Sequence, residues 1–562
     1  MNLKDIISKE IKIEDFSANE ICELIALPPK EDMGDFSLPC FPLAKKLRKS
    51  PVEIANQIQA SLKENNLFEK VEVVNGFVNF YLNKNLFTQK ILDEVNSDLS
   101  NYGKENIGNG KVACIEFSSI NVAKNPHVGH LCSTLFGEGF ARLYENFGFN
   151  VKRLNYLGDY GTQFGKVITA FLKWGNKEDV EKRGVNALQE LYIKVNKECE
   201  DDENLLNECR QTFLKLEQGE KEIKALYDWF VKLSVDEAKR VLYKPLGIDF
   251  DDWRGEAYYA KFNKQTLDLL EKKNLVKKDD GALIVDLQEY NLGVVIVQQT
   301  SGASLYATRD IGTLLDRHKE YNFDTLIYVT DVRQKQYFEQ IFQVGKLLGC
   351  DFMDKVYHIS YGMLSLPEGK IASRKGAVAL IKDLFYTSIQ KAKQVLSEKG
   401  TISDDVELLS SQIGIGALVF SVLKTTKAKD SVFDINSAIN FDGETGPYLQ
   451  YTFARCASIV RKANLNDDKV DFSLLPQNCW ELVKLVQKFP ETLFGAFKDF
   501  ETGYIARFAI SLASAFNKYY NENRIITEDE NLTKAQVKLT KIVKTLLEKC
   551  LYFLVMNAPE KM

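Results

Sequence analysis

Histidine is scarce in this sequence: there are four in 562 residues, His127, His130, His318 and His358. So few imidazoles leave little room for a histidine-rich metal centre, and no HExxH pattern occurs. The ten cysteines are scattered without one CxxC pair. That argues against paired-thiol zinc sites and a disulfide framework, and fits a reducing compartment. Net positive charge is also missing; the balance is −5. A global basic signal for nucleic acid is therefore absent, although a local patch would suffice for such a partner. The longest uncharged, mostly apolar run, GIGALVFSVL (414–423), is too short to span a bilayer. The opening MNLKDIISKE lacks the apolar stretch of a signal peptide. These absences predict a soluble cytoplasmic protein without membrane contact.

The length exceeds what one core usually serves, so about two to four domains are expected. Three stretches differ in pattern. Residues 1–105 mix helical periodicity with NGFVNFYL (75–82), which alternates like a strand, and run into the polar linker NYGKENIGNGK. Residues 106–400 alternate short apolar runs with amphipathic ones: VACIEF (112–117), VKRLNYL (151–157), VVIVQ (294–298) and TLIYVT (325–330). Such runs with helices between them predict an α/β, doubly wound parallel sheet of the Rossmann kind. From about 166 to 245 strand runs stop and Lys and Glu abound, which predicts a helical insertion. Residues 401–562 carry apolar residues at three- and four-residue spacing, as in an all-helical domain. The expected fold is thus a parallel-sheet central domain between an N-terminal α+β domain and a C-terminal helical one.

Two histidines stand together in NVAKNPHVGH (121–130). VACIEF reads as a buried parallel strand, and SSINVAKNP as the loop at its C-terminal end. A helix follows from about His127, with Leu131, Leu135, Phe136, Phe140, Leu143 and Phe147 at helical spacing and Gly148 as a C-cap. Doubly wound folds bind ligands there. N–H groups and the helix dipole favour phosphate at such an end. The imidazoles can donate to phosphate oxygens, Lys124 adds positive charge, and Gly129 lets a purine lie against the backbone. An i, i+3 histidine pair is also half a metal site, but only two other imidazoles exist, so no protein-bound zinc is expected. In the helix, FGEGF holds two glycines that each cost about 1 kcal/mol against Ala. Something approaches that helix closely: a packed neighbouring element or a nucleotide.

HVGH resembles the HIGH motif of class I aminoacyl-tRNA synthetases. FSSINVAKNPHVGHL and NYLGDYGTQFG resemble the arginyl-tRNA synthetases among them. The likeness continues in MGDFSLP (33–39), GFVNFYL (76–82), GIDFDDWRGE (247–256), LYATRDI (305–311), DVRQKQ (331–336) and TGPYLQYTFAR (445–455). The resemblance implies a HIGH-type catalytic domain and an arginine–tRNA ligase. ATP, with Mg2+, and L-arginine would give arginyl-adenylate and pyrophosphate. The 2′-OH of the terminal adenosine of tRNA(Arg) would then take the arginyl group. The family implies a monomer, and an activation step that generally requires bound tRNA. It makes His127, His130 and Lys124 catalytic, and sets Lys124, His127, Gly129, His130, Lys370 and Arg374 around ATP. It gives the amino acid to Glu116, Ser119, Asn121, Tyr306, Asp310 and Gln334.

The residue types suit that substrate. A guanidinium wants carboxylates in a planar fork, plus neutral acceptors. Glu116 lies inside an apolar strand, where a carboxylate needs a partner; the bland alternative is an internal salt bridge. Asp310 follows Tyr306 by four residues, one turn if the stretch is helical. Tyr306 is alternatively a core aromatic. Gln334 follows TLIYVT, at another strand end. Lysine could not satisfy the same fork, so it would be rejected through unpaired groups.

The second class I signature, KMSKS, matches EGKIASRKG (368–376), which reads alternatively as a solvated basic loop. Lys370 matches the first lysine, Ser373 replaces the second, and Arg374 and Lys375 follow. Family members often lack that second lysine, and the lysine before HIGH, here Lys124, is thought to replace it.

The helical C-terminal region resembles the family's anticodon-binding domain. Tyr448, Gln450, Tyr451 and Arg455 can stack on or hydrogen-bond to unpaired bases; core and cap roles fit Tyr448 and Gln450 equally. Lys534, Lys538, Lys541 and Lys544 form a basic stripe on the last helix, suited to phosphates or to a plain amphipathic surface. The N-terminal stretch resembles the domain that contacts the tRNA elbow, with charge in PLAKKLRKSP (42–51). Two rival readings remain: a HIGH-type nucleotidyltransferase acting on another small acid, and a non-catalytic tRNA-binding paralogue.

Overall fold

The computed structural model describes residues 3–300, 305–362, 364–367, 379–400, 405–465 and 470–562. The chain forms two compact units, Met1–Tyr102 with Arg455–Pro490 and Ser511–Leu547, and Gly103–Ala454 with Glu491–Ile510 and Glu548–Met562.

In the first unit, strands β1 (Phe36–Pro39), β2 (Phe68–Val74) and β3 (Phe77–Leu82) pair antiparallel in the order β1-β3-β2. The Asn75–Gly76 loop between β2 and β3 has positive φ at both residues, as a tight two-residue hairpin demands. Helices α1 (Leu3–Glu10), α2 (Ala18–Leu24), α3 (Phe41–Leu47), α4 (Pro51–Ser61) and α5 (Lys84–Ser97) complete its N-terminal part.

The second unit is built on four parallel strands: β4 (Val112–Glu116), β5 (Asn150–Leu154), β9 (Thr325–Asp331) and β10 (Val356–Tyr361), in the order β10-β9-β4-β5. The parallel sheet is the one expected. The chain runs from β4 through α6 (Val128–Asn146) to β5 on one side, then returns to β9 on the other. The order therefore reverses between β4 and β9, and a ligand crevice forms beyond the C-terminal ends of such strands.

Between β5 and β9 come helices α7 (Thr162–Trp174), α8 (Lys177–Arg183), α9 (Val185–Asp201), α10 (Glu203–Glu217) and α11 (Lys221–Ala238), then a π-helical turn at Lys239–Tyr243. Phe164, Leu188, Ile223 and Phe230 bury their apolar faces together. Short helices α12 (Lys244–Leu246) and α13 (Glu256–Tyr259) and helix α14 (Asn263–Lys272) come next. One expectation is corrected here. VVIVQ is not in the parallel sheet; it is β8 (Val294–Gln298), outermost in an antiparallel sheet with β6 (Val276–Asp279) and β7 (Ala282–Asp286). Its valines misled because they alternate in burial, Val295 and Val297 inward and Val294 and Ile296 outward, the mark of a one-sided strand.

Helix α15 (Tyr306–Tyr321) precedes β9, and α16 (Lys335–Leu348) follows it. After β10 come β11 (Leu364–Ser365), α17 (Ile381–Glu398), α18 (Val406–Leu423), β12 (Ser431–Val432) and α19 (Ile435–Ala438). One break between compact units falls after Ala454, and β12 pairs in parallel with β11. Helix α18 is longer than its apolar run suggested and is long and apolar enough to cross a membrane. It is instead mostly buried: a Cβ at Gly414 would lie 2.6 Å from the Ser388 carbonyl oxygen. The remaining sequence is helical in α20 (Gly446–Ala463), α21 (Trp480–Lys498), α22 (Gly503–Glu522) and α23 (Glu530–Phe553).

Candidate active site

The loop after β4 lies at the sheet's switch point and is strained. Ser118, Ser119 and Ala123 all have positive φ, at 72°, 49° and 60°. For residues other than Gly, Asn or Asp each costs about 1 kcal/mol or more, and such strain clusters at functional sites. The loop is tied down along its length. Ser118 N–H donates to Ser133 Oγ (2.9 Å), Val122 N–H to the Gly158 carbonyl (3.2 Å) and Ala123 N–H to Ser234 Oγ (2.9 Å). A side chain on Gly158 would collide with Asn121 Oδ1, 2.6 Å away. Ser119 and Asn121 are half-buried here.

His127 is the N-cap of α6 and His130 its third residue, and each caps the other's backbone. Gly129 N–H donates to His127 Nδ1 (3.2 Å), and His127 N–H to His130 Nδ1 (3.1 Å). This is a capping box built from two imidazoles, with ring centroids 3.8 Å apart. Both Nδ1 atoms accept, so in the neutral rings the proton sits on Nε2, leaving that N–H as a donor. Burial, then Lys124 and Arg333, hold His127 below its usual pKa. Burial, with His127, pushes His130 down to about 3. Both are neutral donors at pH 7.

Neighbouring elements converge on this corner. Tyr361, at the end of β10, donates to the Gly129 carbonyl (3.2 Å). Val128 N–H donates to the Ala379 carbonyl and Ile381 N–H to the Pro126 carbonyl, each at 3.1 Å. The residues just after the KMSKS-like stretch are thus bonded to the HVGH backbone; Lys370, Ser373, Arg374 and Lys375 themselves lie outside the described residues. Lys124 is half-buried, with its ammonium 5.0 Å from the Tyr192 ring centroid.

The amino-acid side draws on separate elements. Tyr306 and Asp310 are one turn apart on α15. Tyr306 is 63% exposed, so it is not a core aromatic; its ring covers the Arg309 guanidinium at 5.0 Å. The Asp310 carboxylate accepts from Tyr156 (3.1 Å) and from Tyr337. Burial raises its pKa, and the two hydroxyls, Arg309 and Arg317 oppose the rise. Gln334 is exposed at the start of α16.

Glu116 does have an internal partner: Arg317, fully buried on α15, donates to its Oε2. Burial pushes the carboxyl up and the guanidinium opposes it. Arg317 keeps its charge, because a guanidinium does not give up its proton in a protein. Arg317 is also ringed by Tyr156, Tyr259 and Tyr328, at 5.5, 5.5 and 5.8 Å. Nearby, Glu256 pairs with Arg309 at 3.1 Å, and burial raises its carboxyl to about 7.

Other expectations change. Gln450 is fully buried and donates to the carbonyls of Gln412 and Asn557, both at 3.0 Å. It is a core residue, unable to read a base from there. Arg455 is half-buried against Asn517 and the Tyr520 ring, not presented outward, and Tyr448 is half-buried. The stripe of Lys534, Lys538, Lys541 and Lys544 is half-buried too. The FGEGF glycines accommodate protein, not nucleotide: a Cβ at Gly137 would overlap the Phe117 ring, and one at Gly139 would lie 3.1 Å from Thr502. His318 and His358 stack on Phe352 and Phe338.

Sequence reading missed Arg317, Tyr156, Tyr337, Arg309 and Glu256. Arg317 had one signal, since it follows Asp310 by seven residues on the same helical face. The tyrosines had none beyond their place in resembling motifs.

Comparisons with known proteins cover the whole chain. The family model of class I (R) tRNA synthetase catalytic domains matches residues 94–435. The DALR anticodon-binding domain matches 449–562, and the arginyl-tRNA synthetase N-terminal domain matches 1–82. The chain is 40% identical to the arginine–tRNA ligase of Clostridioides difficile over 553 residues, 98% of each chain. It is 38% identical to that of Halothermothrix orenii, over 100% of this chain and 99% of the relative. In fold it is similar to Thermus thermophilus arginyl-tRNA synthetase, with TM-score 0.80, 24% identity and 100% of both chains covered. It is also similar to the Plasmodium falciparum arginyl-tRNA synthetase, with TM-score 0.77, 25% identity and 96% and 94% covered.

Proposed function

This chain belongs to the arginyl-tRNA synthetases and is an arginine–tRNA ligase; from that premise we propose how its site divides the work between substrates. Arginine binds with its guanidinium at Asp310. The observation that carries this assignment is a carboxylate aimed by two tyrosine hydroxyls, Tyr156 and Tyr337, on the helix that also presents the exposed Tyr306. Glu116 contributes the oxygen that Arg317 leaves. Ser119 and Asn121 in the strained loop, with Gln334 across the switch point, hold the polar remainder of the amino acid.

ATP binds at the HVGH corner. His127 and His130 offer Nε2–H donors, Gly129 gives room beside the helix end, and Lys124 adds charge. Lys370 and Arg374 are assigned to the triphosphate by family likeness. Neutral N–H donors suit phosphate oxygens and not a cation, so these residues would hold the triphosphate itself, and magnesium bound with ATP would supply charge neutralisation. In activation the arginine carboxylate attacks the α-phosphate, and the bond to pyrophosphate breaks with its electron pair. The 2′-OH of the tRNA terminal adenosine then attacks the arginyl carbonyl, and AMP leaves. Little covalent work falls to the protein, which aligns the reactants and stabilises spreading phosphate charge.

Residues 1–105 and 401–562 are assigned to the tRNA and 106–400 to catalysis; the order of the three parts follows the family matches at 1–82, 94–435 and 449–562, of which the catalytic one runs on past residue 400. Of the three tRNA residues expected in 401–562, Tyr448 and Arg455 remain the candidates, because Gln450 is fully buried in the core. The enzyme acts as a cytoplasmic monomer. ATP–pyrophosphate exchange with each amino acid, with and without tRNA(Arg), tests the reading. Exchange with arginine alone, and only when tRNA is present, is expected. Exchange with another amino acid would refute the pocket assignment; arginine exchange without tRNA would refute the tRNA requirement.

A further inference from the structure

The strained loop after β4 is held by one element of the helical insertion. Helix α11 supplies Ser234, whose Oγ accepts from Ala123 N–H at 2.9 Å and donates to the Phe230 carbonyl at 2.8 Å. Directly after α11, the π-helical turn Lys239–Tyr243 ends in a buried tyrosine. A π turn inserts one extra residue and re-aims the chain beyond it, and such turns recur at functional sites. The Tyr243 hydroxyl lies 2.7 Å from Ser118 Oγ and accepts from Asn155 Nδ2 at 2.9 Å. Ser118 Oγ in turn lies 2.8 Å from Thr134 Oγ1, which lies 2.6 Å from the His130 carbonyl oxygen.

Asn155 Nδ2 donates to the Tyr243 hydroxyl at one end, and Thr134 Oγ1 donates toward Ser118 Oγ and the His130 carbonyl at the other, so Ser118 and Tyr243 are held from both sides. Two of the three left-handed residues, Ser118 and Ala123, are thus pinned by α11 and its π turn, and Ser119 and Asn121 stand within the pinned stretch.

We propose that Tyr243 and Ser234 are positioning residues: the insertion's last helix is the template that holds residues 117–123 in the conformation that binds arginine. The inference rests on the assignment of Ser119 and Asn121 to the amino acid. It requires that loss of either contact weaken arginine and spare ATP, because His127 and His130 cap the HVGH backbone through their own imidazoles.

The test is steady-state ATP–pyrophosphate exchange with tRNA(Arg), on the full chain, for Tyr243→Phe and Ser234→Ala. Either variant should raise the arginine KM about tenfold, the effect of one buried hydroxyl, with the ATP KM within about twofold. Ser118→Gly relieves the left-handed strain without any hydroxyl, so added to Tyr243→Phe it should restore much of the arginine KM. Ser118→Ala keeps the strain and should not. A purely structural tyrosine would lower the melting temperature and leave both KM values alone. Unchanged arginine KM in Ser234→Ala, or equal rises for arginine and ATP, would overturn the proposal, even if Tyr243→Phe fails to fold. Asn121→Ala runs beside them. If it leaves the arginine KM unchanged, the loop's assignment to arginine fails. If it raises the KM while Ser234→Ala does not, the template idea alone fails.

Discussion

The two corners of the site are built in opposite ways. The HVGH corner is local: one four-residue stretch supplies the cap, the countercap and both imidazole donors, and its backbone closes it. The corner proposed for arginine is assembled from β4, the segment after β5, α15 and α16, through pairs as distant in sequence as Glu116 with Arg317 and Tyr156 with Asp310. The local device takes its cap from residues adjacent in sequence, with Tyr361 and Ala379 bonded to its backbone. A distributed one depends on the packing of the whole sheet, so its specificity can be lost while nucleotide binding survives.

The largest effect should come from breaking the local device. His130→Ala removes the donor proposed for the phosphates and half of the capping box. Exchange kcat should fall about a hundred- to a thousandfold, with the arginine KM within about twofold. A comparable rise in arginine KM would show that the corners are not separate.

Breaking the distributed device should act on the other substrate. In Tyr156→Phe/Tyr337→Phe, Asp310 loses the two donors that oppose the effect of burial. Its carboxyl should then titrate higher, be more protonated near neutral pH, and bind arginine more weakly. The expected signature is an arginine KM raised about tenfold or more that improves as pH rises, with ATP unaffected. A pH-independent KM would remove the charge argument.

The smallest effect concerns stability. Burial pushes His130 to about 3 and His358 to about 4. Both folded values lie below the usual 6.5, so the unfolded chain binds protons first on acidification. Their contribution is therefore fully present above 6.5 and lost as pH falls toward those values. His358→Gln should shrink the drop in melting temperature between pH 7 and 4 by a few degrees, measured by calorimetry. No change in that drop would mean that His358, stacked on Phe338, does not control it.

Legibility in the sequence divides along the same line. VACIEF, the His127 start, the Gly148 stop and the Tyr306–Asp310 turn all rest on local periodicity and caps. Gly148 has φ of 80°, as a residue past a helix end requires. VVIVQ was misplaced because a short valine-rich run looks alike in parallel and one-sided antiparallel sheets. Gln450 stayed open between base contact and core because an amide suits a base as well as two buried carbonyls. Arg317 and the two tyrosines could not be named, since nothing in a linear pattern says which hydroxyl will meet which carboxylate.

The most direct test is Asp310→Asn, which keeps the shape, removes the charge and leaves one acceptor oxygen where Tyr156 and Tyr337 donate to two. Arginine and ATP affinities should be measured separately by calorimetry on the same preparation. Arginine affinity should fall about a hundredfold and ATP affinity should be kept. Unchanged arginine affinity would contradict the account, because the guanidinium would then be held elsewhere.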